Sequence, residues 1–174
     1  ASYFRCDGPD RQYGLSARGL AIDAGLARAE EFPRFSAFWI GPAERDGEDL
    51  ALYARLDGPS VAGAYRIGAR RQAEDFRGQR LSVEARLFFR EGVERLGLAP
   101  LTSMFWFSET RRELARDWRP EVHDSDGLAL WTGAGERLFR PLRNPAAVTT
   151  TAFADEGPRG FGLVQRDRVF ENYQ

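Results

Sequence analysis

The chain contains no lysine. All 25 basic residues are arginine, set against 26 acidic ones for a net charge of −1. Nucleic-acid binders carry a clustered positive field, and nothing here supplies one. The missing lysine also removes the phosphate loop of nucleotide-binding enzymes, and "GAGE" lacks the strand–loop–helix setting as well. Cys6 is the only cysteine, so no internal disulfide forms. A single histidine, His123, argues against a zinc site and a serine-type triad. No cofactor or metal is expected. No apolar run approaches the ~20 residues of a membrane helix, which argues against membrane insertion. The first residue is Ala1 rather than methionine, and no signal peptide is visible; both ends read as cut from a longer chain.

What remains is rich in ring and turn residues. Of the 174 residues, 13% are aromatic and 18 are glycine, a balance that favours pleated, half-buried sheets over helices. Short alternating runs recur between Gly, Pro and Asp signals. Leu50, Leu52, Ala54 and Leu56 share one face of a strand, "GPS" turns, and "VAGAYRIGA" returns. Leu81, Val83, Ala85, Leu87 and Phe89 alternate likewise, and "TSMFWFSE" and "GFGLVQRD" read as further strands. Residues 128–131 and 137–140 flank "TGAGE", a hairpin with glycines in its turn. The run from Leu15 to Phe32 reads as strand then loop, and 91–100 as a helical turn ended by Gly97 and Pro100. The expectation is an all-β, mostly antiparallel chain with little helix, a single β-sandwich segment over residues 1–174.

Chemistry concentrates in "WRPEVHDSDGLALW", Trp118 to Trp131. If residues 122–126 are extended, Asp124 and Asp126 share a face about 6–7 Å apart, near the spacing of an inverting glycosidase pair, while His123 points away. The competing reading makes Asp126-Gly127 a turn and pairs Glu121 with Arg119 on the surface. His123 is read either as a proton shuttle or metal ligand, or as a hydrogen-bonded structural residue. Trp39, Trp106, Trp118, Trp131, Tyr13, Tyr53 and Tyr65 are read either as the lining of a sugar-stacking groove or as core. Trp118 and Trp131 flank the acidic cluster and are the candidates singled out. The arginine usage likewise has two readings, genomic composition bias or planar groups that hold hydroxyls and carboxylates.

The strings "YGLSARGLAID", "EEFPRF", "FWI", "APLTSMF", "RPEVHDSDGLALWTGAGE", "RPLRNP" and "GPRGFGLVQRD" resemble the osmoregulated periplasmic glucan biosynthesis proteins G and D, in order through most of the chain. The resemblance implies a Gram-negative periplasmic protein with a galactose-mutarotase-like β-sandwich followed by a smaller immunoglobulin-like domain. This chain would be an internal segment of the large domain, without its early strands or the second domain. The family makes β-1,2-linked glucans with β-1,6 branches, and some members are anomer-inverting endo-β-1,2-glucanases. In those, one of two catalytic carboxylates is the aspartate of "HDS", here Asp124, taken as general base. Glu121, His123, Ser125, Trp118 and Trp131 are then its substrate-side neighbours. The second carboxylate lies downstream of Gln174 rather than at Asp126. The partner expected is a β-1,2-glucan chain; the oligomeric state and the choice between G and D types stay open. Two other readings remain: a glucan-binding or scaffolding protein without hydrolysis, and a mutarotase-like epimerase, for which one histidine is poor.

Overall fold

The computed structural model describes residues 1–7, 14–72, 78–116, 118–167 and 169. These divide into two units, Ala1–Pro100 and Leu101–Gln174. The chain is all-β, and every strand pairing is antiparallel. Among the described residues no helix is long and apolar enough to cross a membrane.

The first unit carries β1 (Tyr3–Asp7), β2 (Gly14–Arg18), β3 (Ala21–Ile22), β4 (Arg34–Pro42), β5 (Leu50–Asp57), β6 (Val61–Gln72), β7 (Gly78–Phe89) and β8 (Leu96–Gly97). β4 to β7 form one sheet in chain order, while β1 pairs with β2 and β3 with β8. The predicted alternation sets the register. Leu56 lies between Phe35 and Gly63, and Ala54 between Phe38 and Tyr65. That face is sealed by Leu20, Ile22, Ala54, Leu56, Val61 and Tyr65, with Phe4, Phe35, Leu87, Val93 and Leu96 packed around them. Each fully buried Leu, Ile or Val contributes about 1.5–3 kcal/mol. Tyr65 therefore belongs to the core, edge-on to Phe35 at 5.2 Å between ring centres, and not to a groove.

The helical turn expected at 91–100 does not form. Buried Asp23 claims the backbone there. Its Oδ1 accepts the amides of Glu94 at 3.0 Å and Arg95 at 2.8 Å, and its own amide donates to the Arg95 carbonyl at 2.9 Å. These bonds hold the segment extended, so that Leu96 and Gly97 pair with Ile22 and Ala21.

The opposite face of the large sheet carries charge. Arg66 stands across from Tyr53 and Glu84. Its guanidinium grips Glu48 with two bonds, 2.9 and 2.5 Å, and both side chains are largely buried. Tyr53 donates to Glu44, and Arg45 pairs with Glu84. The hydrogen bond from Arg66 holds the Glu48 carboxyl below the usual carboxylate range. Gly68 is required for this approach, because a Cβ there would fall on the Glu48 carboxylate.

The second unit holds β9 (Phe105–Phe107), a 3₁₀ stretch Glu109–Leu114 broken at Arg111, β10 (Val122–His123), β11 (Gly127–Trp131), β12 (Arg137–Pro141) and β13 (Gly160–Val164). β9 pairs with β10, and β11 runs between β12 and β13. The expected hairpin is present: Thr132 and Glu136 bond across the turn, and Gly135 takes φ +96°, a left-handed conformation suited to glycine. "TSMFWFSE" is a shorter strand than its sequence predicts: it covers only Phe105–Phe107, and 3₁₀ geometry begins at Glu109.

Glu48→Gln should lower the thermal unfolding midpoint at pH 7 by several degrees. The folded carboxyl is depressed, so its contribution is complete above the unfolded value of about 4.3 and is lost as pH falls through the folded value. The gap from wild type should close over that acidic range. Gly68→Ala should lose stability by displacing the same carboxylate, so adding it to Glu48→Gln should cost little more. Full additivity in melts of the double variant would contradict this coupling.

Candidate functional site

The site is built on β9 and β10. Val122 lies opposite Phe107 and His123 opposite Phe105, so the register slips by one and Trp106 is the extra residue. Such a bulge re-aims the side chains beyond it. Asp124 follows at a bend. Its amide donates to the Met104 carbonyl at 2.9 Å, as in a ladder. The return bond is different: the Met104 amide donates to Asp124 Oδ2, also at 2.9 Å, in place of the Asp124 carbonyl. That carbonyl accepts from Gln165 Nε2 at 2.8 Å instead. The residue is thus pinned at its amide, its carbonyl and one carboxylate oxygen. It is exposed to solvent, and among the described residues Oδ1 has no hydrogen-bond partner. A carboxylate held by one oxygen keeps acceptor capacity on the other.

The neighbouring carboxylates are already committed. Asp126 is buried rather than sharing a face with Asp124, because the bend at Asp124 breaks the extended run. Asp126 Oδ2 accepts the Arg166 amide at 2.8 Å, its amide donates to the Val164 carbonyl, and its carbonyl accepts the Leu142 amide. It joins the ends of β12 and β13 to the start of β11, which is structural work. Glu121 Oε2 lies 2.7 Å from His123 Nε2, and the Glu121–Arg119 surface pair considered above is not what occupies this oxygen. The imidazole is buried and stacks on Phe105, 6.2 Å between ring centres and 14° between planes. Its Nδ1 is buried with no partner among the described residues. Ser125 is buried and bonds to Ser103 at 2.7 Å between hydroxyl oxygens. Among the described residues no group of three His, Cys, Asp and Glu side chains is arranged to hold a metal.

The tryptophans divide. Trp118 is 72% exposed. Trp131 stands at the far end of β11 from Gly127, about 13 Å along the strand, and so away from Asp124. Arg137 and Arg159 lie over its ring at 4.9 and 5.5 Å. Trp39 and Tyr53 belong to the first unit, opposite each other on β4 and β5. Tyr13 lies outside the described residues. Residue spacing pointed to neither of the two groups that bond to Asp124, Met104 and Gln165. Nothing local marks Gln165, which is 41 residues from Asp124.

Residues 1–174 match the family described as periplasmic glucan biosynthesis protein, MdoG. Glucans biosynthesis protein D 2 of Ralstonia nicotianae is 54% identical over 175 residues, covering 99% of this chain and 32% of the relative. Glucans biosynthesis protein D of Stenotrophomonas maltophilia is 51% identical over 174 residues, covering the whole chain and 32% of the relative. Probable glucans biosynthesis protein D of Shewanella oneidensis is 51% identical with the same coverage. The chain spans about a third of the length of these curated relatives.

The contrast between the two aspartates is measurable by denaturant unfolding. Asp126→Ala leaves the Arg166 amide without its acceptor and should cost about 1–3 kcal/mol. Asp124→Asn keeps an oxygen for the Met104 amide and should stay within about 0.5 kcal/mol of wild type. Equal losses would show that Asp124 carries as much structural load as Asp126.

Proposed function

The chain belongs to the MdoG family of periplasmic glucan biosynthesis proteins, and we propose that in its full-length parent it supplies the general base of an anomer-inverting endo-β-1,2-glucanase. Asp124 is that base. One observation carries the reading: of the three carboxylates in 119–127, Asp124 alone is exposed, with one oxygen fixed on a backbone amide and the other open.

The chemistry follows from that arrangement. An ionised carboxylate accepts a proton from water, directly or through a sugar hydroxyl, as the water oxygen bonds to the anomeric carbon. The glycosidic C–O bond breaks, and a second carboxyl group protonates the departing oxygen. Inversion results because the water enters opposite the leaving group, which needs a carboxyl separation of about 6.5–9.5 Å. Glu121 and Asp126 are engaged elsewhere, and the family resemblance puts the acid downstream of Gln174 in the parent. The substrate is a β-1,2-glucan chain in the periplasm.

A second reading is favoured by the same commitment of Glu121 and Asp126: with one available carboxylate in this cluster, the parent binds glucan and organises its assembly without cleaving it. Incubation of the full-length parent with linear β-1,2-glucan separates the two. Under the hydrolytic reading shorter oligosaccharides of inverted anomeric configuration appear. Asp124→Asn then lowers turnover by roughly 10²–10⁴ while glucan still binds. Binding without cleavage by the wild type supports the assembly reading, and full turnover by Asp124→Asn removes Asp124 from the chemistry.

A further inference from the structure

The geometry points to Trp106 as the sugar-stacking platform beside Asp124, an aromatic subsite that takes the face of a hexose ring next to the bond to be cleaved; this rests on the glucan reading above. Three observations place it there. The first is the strand itself. Asp124 Oδ2 lies 2.9 Å from the Met104 amide, and Trp106, in the middle of β9, is two residues further along the chain. Two residues of extended chain span about 7 Å, on the order of the repeat of a hexose chain. Met104 and Trp106 are open at 48% and 47%, while Phe107 is sealed. Asp124 and Trp106 are thus both solvent-exposed on the β9–β10 pair, whereas the His123 imidazole is buried.

The second observation is that the ring is held before any ligand arrives. Phe107, fully buried, meets the indole at 5.7 Å and 71°. The Arg119 guanidinium lies 5.8 Å from the Trp106 ring centre. A large apolar surface fixed in place loses little conformational freedom on binding, which makes its contacts count more. The third is the bulge. The slip between Val122 and His123 makes Trp106 the unpaired residue of β9, and it is the same slip that sets Asp124 opposite Met104. One irregularity thus positions both the acid group and the aromatic one. Trp131 stands instead at the far end of β11 from Gly127.

The hexose presents its C–H face to the indole, and its hydroxyls remain available to the carboxylate and to water. Trp106 is thus a binding residue that sets which ring of the glucan lies against Asp124, and it exchanges no proton.

The test uses the full-length parent and a linear β-1,2-glucan, with calorimetric titration in the Asp124→Asn background so that substrate survives. Trp106→Ala should weaken binding about tenfold, and Trp106→Phe, which keeps a ring, about threefold or less. With Asp124 intact, Trp106→Ala should raise KM more than it lowers kcat. A readout on the unsubstituted indole covers the case in which the alanine variant does not fold. The Trp106 ring N–H resonance, assigned by its loss in Trp106→Phe, should shift as glucan is added. An unmoved resonance, or an affinity of Trp106→Ala within twofold of its parent, overturns the platform. Binding without cleavage by the wild type would instead sink the hydrolytic reading alone, because the indole shift and the affinities are read without cleavage.

Discussion

A single exchange of hydrogen-bond partners organises the second unit. Where a regular ladder would return the Met104 amide to the Asp124 carbonyl, the Asp124 side chain takes it. The displaced carbonyl would be unsatisfied if Gln165 did not reach it from beyond the end of β13. The exchange has two consequences. It fixes a carboxylate at the edge of a short strand pair with a charge-assisted bond, stronger than a neutral one. It also turns the chain, which ends β10 after two residues and drops Ser125 and Asp126 into the interior.

The neighbours of Asp124 serve that exchange rather than competing with it. Glu121 Oε2 and His123 Nε2 bond to each other, and Phe105 covers the imidazole, so β10 is anchored by a largely buried pair. Asp126 spends its carboxylate on the Arg166 amide and closes the three-stranded sheet on the other side. Several acidic groups thus stand within a few residues of one another, yet one faces water. The first unit shows the same economy, with Asp23 and Glu48 both consumed by specific partners.

Much of the fold was legible from alternation. The face of β5 that carries Ala54 and Leu56, the strand at β7, the "GPS" and "TGAGE" turns and the strand at Gly160–Val164 all follow from local pattern, although Val83, Ala85 and Phe89 of β7 are exposed. What was not legible has one physical cause. A carboxylate that bonds to backbone amides far along the chain leaves no trace in local spacing. Asp23 reaches residues 71 and 72 positions away and thereby abolishes the helical turn expected at 91–100. Asp126 reaches a residue 40 positions away, so it is buried where spacing placed it beside Asp124 on a common face. The resemblance singled out Asp124 where spacing alone could not. Spacing also favoured Trp131, because adjacency in sequence hides that β11 carries Trp131 away from Asp124.

The central claim is that the open oxygen of Asp124 faces the scissile bond of a bound glucan. A crystal structure of the full-length Asp124→Asn parent with a linear β-1,2-glucan tests it directly. The account predicts a sugar chain across β9 and β10. A water, or a sugar hydroxyl linked to one, should lie roughly 2.6–3.2 Å from the side chain at position 124 and opposite a leaving glycosidic oxygen. A glucan seated elsewhere, with position 124 facing bulk solvent alone, would contradict it.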